Sequence, residues 1–304
     1  MKIVNIRGGL GNQMFQYAFA IALKQLHPDE RVMIDTQLYK HPFVKTYKGN
    51  NFYHNGFEIE KVFPNANLPI ATGWDIMKVS YYIPNYVLSR AARKILPKRK
   101  IERLQLASDS YVYDSRIMED TNAKYYEGYW LSPLFFNFCK YKIWEVFTFK
   151  PFDSNENAEL AKLISANNSV TIHIRRGDYL NNPMFQGICS LDYYLGAINE
   201  AKSFIQNPQF FIFSNDQAWC EENLKDVVGG SGVTFVNNNK GENSYRDMQL
   251  MSLARCNIIA NSSFSWWGAY LNQRADHIVY APGKWVNGMA CDDAYDEKWI
   301  KIME

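Results

Sequence analysis

The sequence predicts an α/β protein whose carboxyl-terminal half forms a doubly wound parallel sheet. From about residue 170 onward, short β-branched or aromatic runs alternate with helical segments, an order typical of parallel strands joined by crossover helices. The amino terminus reads as strand, glycine turn, helix and strand, which is how nucleotide-binding α/β domains begin. The 304 residues are enough for two such domains. Residues 150–153 are predicted to link them, which gives domains at 1–150 and 151–304.

In the amino-terminal half, residues 2–6 and 31–35 are predicted strands, and residues 13–26 a helix that is apolar almost all round and therefore expected to be buried. The turn before the helix, Gly8-Gly9-Leu10-Gly11-Asn12, leaves three interpretations open. It is a dinucleotide fingerprint with Asp35 as the ribose acid, a sharp turn only, or a ligand site of backbone amides and Asn12. We favour the third, because G-G-x-G-N is not G-x-G-x-x-G.

Residues 36–148 are poorly periodic, although 125–130 read as a strand and 74–100 as mostly helical with interruptions at Pro84 and Pro97. The helical stretch ends in a basic cluster with two open interpretations. A solvated helix face is the favoured one, and a surface that meets anionic lipid or a lipid-linked acceptor is the other. The cluster consists of Arg90, Arg93, Lys94, Lys98, Arg99 and Lys100.

In the carboxyl-terminal half, strands are predicted at 170–175, 210–213, 233–236, 257–260 and 278–280, and helices at 192–205, 218–227, 245–255 and 265–272. The first of these strands ends in His173-Ile174-Arg175-Arg176-Gly177-Asp178. Cations at the carboxyl end of a buried strand are costly unless an anion or a carboxylate meets them, and ligands of open α/β sheets bind at that end. The stretch therefore predicts either an anion site at His173 and Arg175, or internal ion pairs with carboxylates such as Asp178.

Two further predicted strands end in polar clusters. Ser214, Asn215 and Asp216 follow one of them, and Asp216 either caps the next helix or accepts the donors of a guanine edge. Ser262 and Ser263 follow another, as helix caps or as phosphate ligands. Three such ends in one parallel sheet together favour a nucleotide diphosphate site.

Composition excludes several classes of protein. A net charge of +2 does not by itself indicate a protein that binds nucleic acid. The sequence contains no C-x-x-C pair, no D-x-D and no ligand spacing among the histidines, so we expect no metal and no cofactor. Arg175 is then the predicted counter-charge for a diphosphate. No signal peptide or bilayer-spanning run is found, so a cytoplasmic location is expected, with or without contact to the inner face of the membrane.

Four stretches, in order along the chain, resemble the α1,2-fucosyltransferases of bacteria and animals. They are Gly8-Gly9-Leu10-Gly11-Asn12-Gln13-Met14-Phe15-Gln16-Tyr17, His173-Ile174-Arg175-Arg176-Gly177-Asp178-Tyr179, Phe213-Ser214-Asn215-Asp216 and Asn261-Ser262-Ser263-Phe264-Ser265-Trp266-Trp267. The resemblance implies two Rossmann-like domains facing a cleft, as in the glycosyltransferase-B architecture. It also implies inverting, metal-independent transfer from GDP-β-L-fucose to a galactoside hydroxyl, typically O2, in the synthesis of a bacterial surface glycan. The amino-terminal domain would take the acceptor and the carboxyl-terminal domain GDP-fucose.

The resemblance also implies roles for single residues. Arg175 would hold the β-phosphate, and Asn12 would reach the transferring sugar. Asp178 is the candidate base, although it is also expected to pair with Arg176 and shape the turn. The other implied donor-binding residues are Gly11, His173, Ser214, Asn215, Asp216, Ser262, Ser263 and Phe264. A fucosyltransferase of other regiospecificity, an NAD-dependent oxidoreductase and a non-catalytic carbohydrate-binding module remain the alternatives.

Overall fold

The computed structural model describes residues 1–40, 55–80, 82–97, 99–106, 109–166, 168–229 and 232–303. The chain divides into two compact units, the first of Met1–Thr148 with Asp292–Ala294, and the second of Phe149–Cys291 with Tyr295–Glu304. Each unit contains a parallel sheet, so the predicted α/β class with two Rossmann-like units is confirmed. The division after Thr148 falls close to the predicted linker.

The first unit has a four-stranded sheet in the order β2-β1-β4-β3, in which all pairs are parallel. Its strands are β1 (Lys2–Asn5), β2 (Val32–Asp35), β3 (Glu102–Leu104) and β4 (Tyr125–Glu127). Its helices are α1 (Leu10–Leu26), α2 (Gln37–Lys40), α3 (Ile59–Val62), α4 (Gly73–Val79), α5 (Tyr86–Ala92), α6 (Ser115–Glu119) and α7 (Lys140–Val146). The predicted burial of the first helix is confirmed, since α1 is buried from Leu10 to Leu23 except at Asn12.

Two expectations for the first unit need correction. The predicted strand at 125–130 stops at Glu127, because Trp130 has a φ of 54°, which no strand accommodates. The predicted helix at 74–100 is two short helices, α4 and α5, separated by the segment that contains Pro84.

The basic cluster is not a single solvated helix face. Arg93 turns inward and pairs with Glu102 at 2.6 Å. Arg99 donates to the carbonyl of Lys78 at 3.0 Å. Lys98 lies outside the described residues. The members that remain exposed are Arg90, Lys94 and Lys100.

The second unit has a six-stranded parallel sheet in the order β10-β9-β8-β5-β6-β7. Its strands are β5 (Ser169–Ile174), β6 (Gln209–Ser214), β7 (Val233–Val236), β8 (Cys256–Ile258), β9 (Ile278–Pro282) and β10 (Ile300–Ile302). Its helices are α8 (Asn155–Ala166), α9 (Leu191–Phe204), α10 (Gln217–Leu224), α11 (Tyr245–Met251) and α12 (Ser263–Tyr270). This is the doubly wound strand order, and its direction reverses between β5 and β8, the position at which such sheets bind ligands.

The central strand β5 is fully buried along its length. Val170, Ile172 and Ile174 share a core with Tyr193 and Tyr194 of α9. Each buried aliphatic side chain of this kind contributes about 1.5–3 kcal/mol, so β5 is a rigid base for the segment that follows it. Among the described residues, no helix has the length and apolar character needed to cross a bilayer.

A half-buried carboxyl group, that of Asp247, lies in α11 of the same unit. Asp247 accepts a hydrogen bond from Asn239 Nδ2 at 2.8 Å, and Asn239 in turn donates to Asn157 at 3.0 Å. Burial raises the pKa of Asp247 to about 7. Because the folded state holds this proton more tightly than the unfolded chain does, ionisation of Asp247 destabilises the fold.

We predict that the contribution of Asp247 to stability is lost as pH rises from about 4 to about 7, opposite in sign to the contribution of His173, and that Asp247→Asn removes the Asp247 contribution alone. The pKa of Asp247 is higher in the folded protein than in the unfolded chain. The stabilising proton is therefore bound at pH values below the unfolded pKa, and it is lost as pH rises through the folded pKa. At pH 8 the variant should melt about 3–6 °C higher than the parent protein. Thermal melts from pH 4 to 8 measure this, with the exposed Asp226→Asn as the control. Equal slopes in all three proteins would contradict it.

Candidate active site

The ends of three strands of the second unit carry the predicted polar clusters, and these ends lie close together, as expected. β5 pairs with β6 on one side and with β8 on the other. Because all three strands are parallel, their carboxyl ends lie at the same edge of the sheet. The His173 ring lies 5.7 Å from the Phe264 ring of α12, and Arg176 reaches Asp216 beyond β6. The edge therefore gathers side chains from three separate segments.

Arg175 and Asp178 form a two-point ion pair just beyond β5. Nε of Arg175 lies 2.7 Å from Oδ1 of Asp178, and Nη2 donates to Oδ2 at 2.8 Å. The Asp178 side chain is 8% exposed and that of Arg175 34% exposed. The carboxylate thus holds one edge of the guanidinium, while Nη1 has no partner among the described residues. A planar guanidinium with a free edge at a strand end is suited to a phosphate.

The expected pairing of Arg176 with Asp178 is wrong. Asp178 takes Arg175 instead, while Nε of Arg176 lies 3.4 Å from Asp216 Oδ2 and its guanidinium stacks 4.1 Å above the Trp219 ring. Asp216 also accepts from the backbone N–H of Trp219, as the cap of α10. Asp216 therefore does cap α10. Its carboxylate is already partly occupied by protein donors and is less available to a guanine base.

Asn215 connects the ends of β5 and β6. Its Oδ1 accepts from the Arg176 N–H at 3.0 Å, and its Nδ2 donates to Asp178 at 3.5 Å. A Cβ on Gly177 would lie 2.7 Å from Asn215 Nδ2, so the glycine is needed for this close approach. Ser214 accepts from the Asp216 N–H at 2.9 Å. Ser214, the last residue of β6, and Asn215, which follows it, therefore shape the loop around Arg175.

His173 is a neutral, incompletely bonded side chain at the end of β5. Burial, and next the positive charge of Arg175, lower the pKa of His173 to about 3. Its Nδ1 is buried and has no hydrogen-bond partner among the described residues. A buried polar atom without a partner is costly, so this nitrogen is available for a ligand.

The amino terminus of α12 completes this edge. Ser262 caps the helix by accepting from the Phe264 N–H at 3.3 Å, and Ser263 follows as the first helical residue. Tyr179, to which sequence reasoning gave no role, donates from its hydroxyl to the Asn261 carbonyl at 3.4 Å. Burial raises the pKa of Tyr179 to about 12, so it acts as a donor. Its place at the end of the His173–Tyr179 motif was the available signal.

The glycine turn lies in the first unit, where two buried glutamines of α1 support it. Gly8 has a φ of 83°, and a Cβ there would lie 2.9 Å from Asn12 Nδ2. The fully buried Gln16 brackets Arg7, accepting from its N–H at 2.7 Å and donating to its carbonyl at 3.2 Å. Gln13, equally buried, donates to the Gly8 carbonyl at 3.0 Å. Sequence reasoning missed both glutamines, although polar residues in an apolar helix were a signal.

Asn12 and Gly11 lie in the first turn of α1, where Asn12 is half-buried and Gly11 buried. Asp35, the acid of the alternative dinucleotide interpretation, is fully buried. It accepts from the Tyr125 hydroxyl at 2.8 Å and from the Gln37 N–H at 2.9 Å. A carboxylate occupied in this way is unsuited to a ribose, which disfavours that interpretation.

Among the described residues, no three His, Cys, Asp or Glu side chains are grouped so as to hold a metal ion. The expectation of no metal and no cofactor stays a prediction, as do the roles of the individual site residues.

Comparisons with known proteins give the family. An alpha-1,2-colitosyltransferase of Escherichia coli is 33% identical over 307 residues, which cover 99% of this chain and 98% of that protein. The O-antigen biosynthesis glycosyltransferase WbnK of Escherichia coli is 28% identical over 98% of this chain and 99% of its own. Among solved structures, NodZ alpha-1,6-fucosyltransferase soaked with GDP-fucose is similar with a TM-score of 0.46 and 16% identity, over 88% of this chain and 91% of that one.

The sequence model of glycosyl transferase family 11 matches residues 1–303, essentially the whole chain. The resemblance carried by the four motifs is therefore confirmed. The chain belongs to glycosyl transferase family 11 and is a glycosyltransferase.

Proposed function

We propose that the protein is an inverting α1,2-fucosyltransferase that moves L-fucose from GDP-β-L-fucose to O2 of a galactoside in the synthesis of a bacterial surface glycan. The observation that carries the proposal is Arg175, held by Asp178 at the reversal point of the doubly wound sheet with one guanidinium edge free. The α1,2 linkage is supported by the name of the full-length colitosyltransferase relative. The glycan pathway is supported by the O-antigen role in the name of the second.

In the proposed reaction the acceptor oxygen bonds to C1 of fucose while the bond from C1 to the β-phosphate oxygen breaks. The electron pair of that bond stays on GDP, and the acceptor hydroxyl releases its proton to solvent. Negative charge develops on the phosphate as this bond breaks, so a preorganised arginine stabilises the transition state more than the bound substrate. Arg175 supplies this charge, and no step requires a metal.

The neighbouring side chains fit the nucleotide end of the donor. His173 is neutral and has an unfilled hydrogen-bonding position at Nδ1, while Phe264 offers a half-buried ring beside it. Ser262 and Ser263 begin α12, whose first N–H groups suit a phosphate oxygen. Gly11 and Asn12 belong to the first unit and serve the sugar end of the donor in this proposal.

Incubation with GDP-fucose and lactose, with and without EDTA, tests the function. We expect a product heavier than lactose by one deoxyhexose, equal in both samples, with the linkage read by NMR. GDP-colitose is the competing donor to include, because a relative is named for colitose transfer and that sugar is fucose without its 3-hydroxyl. Thermal shifts with GDP and with NAD accompany the assay. Stabilisation by NAD and not by GDP would overturn the proposal, as would the absence of both product and GDP stabilisation.

We predict that Arg175→Ala lowers kcat/KM at least about 100-fold in protein that is still folded at the assay temperature, although leaving Asp178 without its partner also lowers the melting temperature. The reason is the loss of one preorganised donor to the departing phosphate, typically worth about 3 kcal/mol. Arg176→Ala is the matched control. It loses the contacts to Asp216 and Trp219, so it should lower the melting temperature and cost less activity. A fully active Arg175→Ala variant would rule out the assigned role.

A double-mutant cycle separates two roles for Asp178. Both of its oxygens face Arg175, so we expect it to position that guanidinium and not to take the acceptor proton. Asp178→Asn should then lower kcat/KM about tenfold or more in the parent protein, but hardly at all in the Arg175→Ala background. If Asp178 were the general base instead, Asp178→Asn would lower kcat/KM by a similar factor in both backgrounds. Asp276→Asn, in an exposed ion pair of the same unit, is the control.

A further inference from the structure

The segment formed by α5 and the turn after it has an inverted distribution of side chains. Its inward-facing residues are polar, with Ser89 fully buried and the Arg93 side chain only 14% exposed. Its outward-facing residues are large and apolar, and their exposed fractions are 45% for Val87, 55% for Leu88, 89% for Ile95 and 43% for Leu96. A surface helix of a globular protein shows the opposite arrangement.

Contacts within the first unit hold the segment in this orientation. Ser89 Oγ accepts from the Tyr82 N–H at 3.2 Å. Arg93 pairs with Glu102 at 2.6 Å and with Glu127 at 3.3 Å, and the Glu102 side chain is 2% exposed. Breaking such a buried pair is costly, so the apolar side chains are kept outward by the fold itself.

The exposed charged side chains of the same segment are all positive. The sequence has no Asp or Glu between Asp75 and Glu102, but it has seven Lys or Arg residues there. Arg93 is neutralised by its glutamates, whereas Arg90, Lys94 and Lys100 are exposed and have no acidic partner among the described residues. A chain with a net charge of only +2 therefore concentrates positive charge around exposed Val87, Leu88, Ile95 and Leu96.

We propose that this surface, the 87–96 patch, binds the headgroup region of an anionic lipid bilayer. The apolar side chains insert at the boundary of the acyl chains, and Arg90, Lys94 and Lys100 meet lipid phosphates. A second copy of the chain fits less well, because a two-fold contact would bring the same positive charges together. The proposal does not depend on the identity of the transferred sugar.

Co-sedimentation of the full chain with vesicles tests the proposal. Phosphatidylcholine vesicles are compared with vesicles that contain 30% phosphatidylglycerol. We expect binding to the anionic vesicles only, weakened about tenfold or more by Arg90→Glu with Lys94→Glu, by Ile95→Ser with Leu96→Ser, and by salt. All four side chains are exposed, so both double variants should keep the parent melting temperature, which is measured alongside.

The matched control is Lys24→Glu with Leu26→Ser, which removes one exposed cation and one 45%-exposed leucine elsewhere in the first unit. It should bind vesicles like the parent protein. Failure to bind anionic vesicles, or binding equal in all variants, would overturn the proposal. Association of the chain with itself that Ile95→Ser with Leu96→Ser abolishes, without vesicle binding, would assign the patch to a second copy instead.

Discussion

The ion pair between Arg175 and Asp178 fixes the guanidinium of the candidate phosphate site to the buried sheet of the second unit. Arg175 follows a strand that is buried along its whole length, so the start of the loop cannot shift without disturbing the core. Asp178 binds both Nε and Nη2 and thereby removes most of the freedom of a long side chain. The ordering entropy of the guanidinium is lost during folding, before any substrate binds, and that is the basis of preorganisation. Neighbouring segments support the same loop through Asn215 and Tyr179.

Much of this arrangement could be predicted because it depends on patterns of short range. Alternation of β-branched runs and helices predicts the parallel sheet of the second unit, and strand-end polar clusters predict which loops meet. The strands β3 and β10 were missed, since three residues, Glu-Arg-Leu or Ile-Lys-Ile, are too few to establish a strand pattern. The partner of Asp178 was also mistaken. Which of two adjacent arginines turns toward a carboxylate depends on loop geometry and on the Trp219 ring that holds Arg176, a contact remote in sequence.

The motifs serve two purposes that sequence alone does not separate. In the first motif Gln13 and Gln16 hold the turn, and in the third Ser214 and Asn215 shape the loop between strands. The two glutamines are fully buried, where polar groups must be hydrogen-bonded, and the fold supplies partners for all four side chains. Two other motif residues keep unfilled hydrogen-bonding capacity. Nδ1 of His173 is buried without a partner, and Nη1 of Arg175 is left over because Asp178 binds Nε and Nη2. Within the motifs, unfilled capacity distinguishes the residues suited to bind substrate from those that support the loops.

This distinction bears on how the acceptor loses its proton in the proposed reaction. At the described strand ends of the second unit, the titratable candidates are poor bases. Asp216 already accepts from Arg176 and from the Trp219 N–H. Protonation of His173 is opposed by burial and by Arg175, which lower its pKa to about 3, and Asp178 would have to leave Arg175 to accept a proton. A transition state in which the bond to phosphate is largely broken before the acceptor bonds needs little activation of the hydroxyl, because positive charge on the sugar makes even a neutral oxygen sufficiently nucleophilic. The arrangement at the end of β5 therefore favours a mechanism led by departure of GDP, in which stabilising the leaving group matters more than deprotonating the acceptor.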